Sequence, residues 1–138
     1  DGIHFKREKT PVFYPDNDTQ KKLEWPGGCE DPRIAVTAEG LYVMTYTQWN
    51  RHIPRLAIAT SRNLKDWTKH GPAFAKAYDG KFFNLGCKSG SILTEVVNGK
   101  QVIKKIDGTC VCRHFRRFSQ LDSIRKYGRL AEKTVFTP

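Results

Sequence analysis

In this chain of 138 residues, three cations and one acidic pair are the side chains best suited to chemistry. The acidic pair is Glu30-Asp31, followed by Pro32 and Arg33; Pro32 fixes the backbone beside Asp31, and Pro26-Gly27-Gly28 lets the chain bend sharply just before it. The cations are Arg33, Arg55 and Lys88. Arginine offers a planar fork of donors that matches two oxygens of an oxyanion, and lysine adds a mobile point charge. The plain alternative makes Arg33 and Arg55 ion-pair partners of Glu30, Asp31 or Asp66, since most surface charges simply solvate a face. The cysteines (Cys29, Cys87, Cys110, Cys112) have neither a CxxC spacing nor a disulfide framework, which fits a reduced, cytoplasmic compartment. Cys110, Cys112 and His114 lack the usual cysteine gap and a fourth ligand, so no metal site is expected.

The elements that must position these groups read as short strands and turns up to about residue 108. Arg33 to Thr47 holds two apolar-rich runs around Ala38-Glu39-Gly40, a β-hairpin signal. Arg55 to Ser61 is another strand, with alternating small and branched residues. Ser91 to Gly108 holds two more around Asn98-Gly99, the dipeptide of a type I′ turn, and ends in a second such signal, Asp107-Gly108. No stretch there has helical periodicity, so the expected class is all-β. Asp1 to Glu8 and Arg62 to Gly71 each show a turn, an aromatic at the end of a short strand, then polar residues. Their aromatics, Phe5 and Trp67, stand 62 positions apart. That spacing suits one four-stranded propeller blade, although two coincidental segments would look the same.

Four stretches, "GGCEDPRI", "YVMTYTQWN", "RLAIATSRNLKDW" and "CKSGSIL", together resemble glycoside hydrolase family 130, the inverting mannoside phosphorylases and related glycosidases. The resemblance runs from Asp1 to about Gly108 and implies about two blades of a five-bladed β-propeller. It implies that Arg33, Arg55 and Lys88 bind inorganic phosphate and that Glu30 and Asp31 bind or orient sugar hydroxyls. Trp49 and His52, on the stretch Thr47 to Arg55, would line a sugar subsite; a packed Trp and an exposed loop His are the plain alternative. In the phosphorylases, phosphate attacks the anomeric carbon while an Asp acid protonates the glycosidic oxygen through a sugar hydroxyl, with inversion. The family's acid falls in the blade before Asp1, so no catalytic residue is assigned here and the chain alone is expected to be inactive. The implied function is inverting phosphorolysis of β-mannosides, with an oligosaccharide substrate, inorganic phosphate as co-substrate and no cofactor. The alternatives are hydrolysis on the same scaffold and a non-catalytic glycan- or polyanion-binding remnant. Unpaired blade edges would favour self-association.

The remaining sequence reads differently. Net charge is +10, which would suggest a polyanion partner, but residues 113–138 carry seven Lys/Arg against Asp122 and Glu132, half of the excess. No apolar run spans a membrane and no signal-peptide pattern opens the chain; Asp1 in place of Met points to a partial product. From Cys112 to Lys133, Arg and Lys interleave with Phe, Leu and Tyr. Phe115, Phe118, Leu121 and Ile124 recur every three residues, as in a basic amphipathic helix, and a nucleic-acid arm would use the same composition. A third origin is favoured. Read one nucleotide later, codons for Cys112 to Asp122 permit V-A-T-S-D-D-L-V-N-W, close to the family's own repeat. The shifted Trp falls across Leu121, 54 positions after Trp67. The expected division is therefore a partial propeller over 1–108 and an out-of-frame, non-native tail over 109–138, helical or disordered, with no specific nucleic-acid partner.

Overall fold

The computed structural model describes residues 2–76, 78–106, 109–115 and 134–136, with the backbone alone for 105–106, 109–115 and 134–136. Period-two alternation in Tyr42–Trp49 (β2) sends Met44, Tyr46 and Gln48 to one face of a sheet and Val43, Thr45 and Thr47 to the other. All six are buried, because both faces of this strand are covered. With Gly28–Val36 (β1), Pro54–Ser61 (β3) and Trp67–Pro72 (β4) it forms a four-stranded antiparallel sheet in the order β1-β2-β3-β4. On one face Met44, Tyr46, Ala57 and Ala59 pack against Phe13, Cys29 and Trp67. On the other, Val43, Ile58 and Ile103 pack with Ala35, Ala73 and Ile92.

That second face receives Lys88–Ile92 (β5). The approach is close: Thr45 Oγ1 donates to the Gly90 carbonyl at 2.8 Å, and a Cβ on Gly90 would lie 2.6 Å from both methyls of Leu56. Only glycine fits there, since Leu56 is itself fully buried. Thr94–Val97 (β6) and Lys100–Ile103 (β7) pair around Asn98-Gly99, both left-handed as a type I′ turn requires. Lys105–Ile106 (β8) and Thr109–Phe115 (β9) pair antiparallel; β9 also pairs with β5 and with Thr134–Phe136 (β10).

The stretch from Ser61 to Trp67 is a self-bonded turn. Ser61 Oγ accepts the backbone N–H groups of Asn63 and Leu64, and Asn63 Oδ1 accepts those of Lys65 and Asp66. The Trp67 indole donates to the Leu64 carbonyl at 3.2 Å and lies edge-on to Phe13. Those bonds account for the Ser-x-x-Leu-x-x-Trp spacing.

The all-β class holds among the described residues, with one helical turn there, Lys21–Glu24 (α1), that the sequence did not signal. Other expectations need correction. Only one four-stranded meander forms among the described residues, the later strands dividing between two sheets. The repeat has no local counterpart: Trp67 opens β4, whereas residues 2–8 form no strand and Phe5 is exposed. A strand, β9, stands directly after Asp107-Gly108, where sequence pattern gave none. The amphipathic-helix alternative over Phe115 to Ile124 and the shifted Trp at Leu121 fall, apart from Phe115, outside the described residues, as do Asp107 and Gly108 themselves. No helix among the described residues is long and apolar enough to cross a membrane.

Gly90→Ala is expected to destabilise the chain by about 1–3 kcal/mol through overpacking against Leu56, read as a lower urea midpoint at unchanged slope. A neutral effect would mean that the two sheets are not in close contact.

Candidate functional site

Two irregular strands meet at the acidic pair. The β1 register slips between Glu30 and Arg33, and the β5 register slips between Lys88 and Ser91. Each slip contains a non-glycine residue in the left-handed region, Asp31 (φ 51) and Ser89 (φ 54). Such residues cost of order 1–3 kcal/mol each and persist where surrounding bonds enforce them. Here the bonds are mutual: Ser89 Oγ donates to Asp31 Oδ2 at 3.0 Å, and the Ser89 N–H reaches Thr47 Oγ1 at 3.4 Å. Lys88 Nζ donates to Glu30 Oε2 at 2.8 Å and lies 3.7 Å from Asp31 Oδ2. The Lys88 pKa is raised, chiefly by the hydrogen bond to Glu30, against a smaller opposing effect of burial. All three side chains remain more than a third exposed, so the cluster, one ammonium between two carboxylates, is open to a ligand.

Arg55 is only 6% exposed. Its Nε donates to the Phe83 carbonyl (3.0 Å), Nη1 to the Ile53 carbonyl (3.3 Å) and Nη2 to Asn84 Oδ1 (2.7 Å), with the Phe83 ring 4.9 Å away. Burial pushes its pKa down. Arg33 is exposed and donates to its neighbour's carbonyl on Pro32 at 3.1 Å. Strand register separates the cations further. Arg33 opposes Thr45 and Glu30 opposes Thr47 on the β5-facing side, whereas Arg55 opposes Gln48 on the Tyr46 side. Of the predicted residues, the structure thus joins Glu30, Asp31 and Lys88, and gives Arg55 and Arg33 partners of their own. Trp49 ends β2, half-buried, and packs so closely on Gly27 that a Cβ there would collide with its carbonyl and indole ring. His52 is exposed; its backbone N–H, with that of Ile53, donates to Asn50 Oδ1 in a turn.

Sequence reasoning missed Ser89, Asn84 and a buried network on the Tyr46 side. Glu24 is fully buried; it accepts from Tyr46 Oη (2.8 Å), Gln48 Nε2 (3.1 Å) and Lys69 Nζ (2.6 Å). Lys69 also bridges Asp18 at 3.0 Å and sits over the Phe13 ring. Burial lowers the Lys69 pKa, but the hydrogen bonds to Glu24 and Asp18 outweigh it and the net shift is upward. Burial, then Glu24, raises Tyr46 and pushes the Cys29 thiol up to about 12. Nearby an open apolar hollow of about 330 Å³ is lined by Val12, Phe13, Ile34, Met44, Leu64 and Trp67. Nothing in the spacing of Glu24, Tyr46, Gln48 and Lys69 announces their meeting.

Comparison with known proteins places the chain in context. The family model described as β-1,4-mannooligosaccharide phosphorylase, that of glycoside hydrolase 130, matches residues 1–121. A 1,2-β-oligomannan phosphorylase of Thermoanaerobacter is 36% identical over 106 residues, covering 75% of this chain and 31% of that protein. One solved structure is 95% identical at a TM-score of 0.79 and covers 82% of this chain and 32% of its own. It is described under the statement that this family of mannoside phosphorylases contains glycoside hydrolases that target β-1,2 mannosidic linkages in Candida mannan. A glycosyl hydrolase of Bacteroides ovatus is 83% identical at a TM-score of 0.80, covering 83% of this chain and 32% of that one. The chain therefore spans about a third of the length of these relatives.

The raised Lys88 pKa sets a direction for stability. A lysine whose pKa is higher folded than unfolded stabilises fully below its ordinary value near 10.5 and loses that contribution as pH rises through the folded value. Lys88→Met is expected to be less stable than the parent at about pH 8, and the gap to close as pH rises through the raised folded value of Lys88, by urea midpoints. A gap that stays constant would mean that the ammonium is not held by these carboxylates.

Proposed function

The chain belongs to glycoside hydrolase family 130, and from that premise we propose that it is part of an enzyme that hydrolyses β-1,2-linked mannosides with inversion. One observation carries the choice of water over phosphate: the Lys88 ammonium is engaged by Glu30 and Asp31, so the open cluster holds two carboxylates against one cation. A net negative site repels a phosphate dianion, and Coulomb repulsion there is only partly screened by solvent. It suits a sugar instead. Carboxylate oxygens accept from hydroxyl groups, and the second oxygen of each carboxylate has no hydrogen-bond partner among the described residues.

In this reading Glu30 and Asp31 bind and orient the mannoside, Lys88 fixes their geometry, and Ser89 holds Asp31 in its left-handed conformation. The oligosaccharide is the partner and no cofactor takes part. The relative at 95% identity supports this reading through the β-1,2 linkages and glycoside hydrolases named with it. The four-stranded sheet would be one blade of a propeller, with β5 and its partners opening the next. A second reading, phosphorolysis at Arg33, Arg55 and Lys88, draws on the phosphorylase at 36% identity and on the description of the family model.

The test uses an enzyme of the relatives' full length carrying these residues, assayed on β-1,2-mannobiose with and without inorganic phosphate. The expected product is mannose in both cases, with rates within about two-fold of each other. Formation of mannose 1-phosphate, or turnover that requires phosphate, would establish the second reading instead.

A further inference from the structure

Arg55 is a buried cation with no acidic partner among the described residues, and such a group ordinarily draws an anion. One of the two edges by which a guanidinium grips two oxygens of a phosphate is its Nε–H with the parallel Nη2–H. In this chain both donors of that edge are filled from within, by the Phe83 carbonyl at 3.0 Å and Asn84 Oδ1 at 2.7 Å. Two neutral oxygens of consecutive residues thus stand where two oxygens of an anion would bind. One flat face is covered by the Phe83 ring.

The segment that supplies these oxygens is well fastened. Phe83 N–H donates to the Gly80 carbonyl (3.0 Å), Leu85 N–H to that of Phe82 (3.1 Å) and Cys87 N–H to that of Pro54 (2.9 Å), next to Arg55 itself. Asn84 is exposed whereas Arg55 is not, so its amide is the outer cover of the guanidinium. We propose that Asn84 is a specificity-determining residue: its side-chain oxygen stands in for an anion on Arg55 and keeps inorganic phosphate off that guanidinium. This rests on the hydrolytic reading and deepens it, since it supplies a second barrier to phosphate, independent of the Lys88 cluster. An amide oxygen satisfies the donor but leaves the positive charge uncompensated. Removing that oxygen frees one arm of the fork at the surface, and a phosphate dianion is then the stronger partner.

The experiment is a titration of the 138-residue chain and its variants with inorganic phosphate, followed by phosphorus NMR, with circular dichroism as the check on folding. The parent chain is expected to bind phosphate without saturation, and Asn84→Ala to bind it at least about ten-fold more tightly. Asn84→Asp, which places an anion on Arg55, should remain blind to phosphate, and adding Arg55→Lys to Asn84→Ala should abolish the gain. Should the alanine variant fail to fold, Asn84→Ser serves in its place, with a gain in the same direction. Equal affinity in parent and variant, whether both bind or neither does, overturns the proposal. These outcomes are separable from the assay on mannobiose: a phosphate-dependent parent enzyme defeats the hydrolytic reading, whereas a phosphate-blind Asn84→Ala defeats only the role of Asn84.

Discussion

One ammonium group holds the site together. Lys88 lies on β5, while its two carboxylate partners lie 58 and 57 residues earlier on β1, so a single side chain ties the edge of one sheet to the strand packed on its face. Neither strand could deliver its residues there in regular β-conformation, because side chains of neighbouring positions point to opposite faces. The slips in β1 and β5 solve this by turning Asp31 and Ser89 into the left-handed region, where each costs energy that their mutual hydrogen bond helps to offset. Strain at that point, in a half-exposed cluster of charges, is the pattern expected of a site kept for binding rather than for packing alone.

The interior treats its other cations in two contrasting ways. On the Tyr46 side, Lys69 is nearly buried and meets Glu24 and Asp18, so desolvation is met by full charges as well as hydrogen bonds. Breaking such a pair leaves an uncompensated buried charge, which is why these residues act as one unit with Tyr46 and Gln48. Arg55 receives only carbonyl and amide oxygens. Its charge is stabilised by dipoles and by the Phe83 ring, an arrangement that holds the 83–84 segment in place and leaves the outer edge dependent on one exposed amide.

Much of the fold was legible because it is written in local pattern. The hairpin signal around Ala38-Glu39-Gly40, the strand from Arg55 to Ser61 and the turn dipeptide Asn98-Gly99 each specify their own geometry, and each formed as read. Elements defined by pairing were not. The aromatics Phe5 and Trp67 suggested a repeat, yet an aromatic at a fixed spacing says nothing about which strand lies beside it, and only Trp67 has one. Thr109–Phe115 looks unlike a strand in composition and gains its conformation from β8 and β5. At the site, the residue types Glu30, Asp31 and Lys88 were readable, but the ion pairs read as an alternative belonged to Arg33 and Arg55, whereas the carboxylates pair with Lys88. Ser89 and Asn84 were not readable, since a serine and an asparagine acquire roles only from what long-range contacts set opposite them. The single turn Lys21–Glu24 is too short to carry any periodicity.

A crystal of the chain soaked in inorganic phosphate measures the central claim directly, because it shows which partners the cations prefer when an anion is freely offered. The expected result is Lys88 still on Glu30 and Asp31, Arg55 still on Phe83 and Asn84, and no phosphate on either cation. A phosphate bound by Lys88 or by Arg55, with the carboxylates or the asparagine displaced, would contradict it.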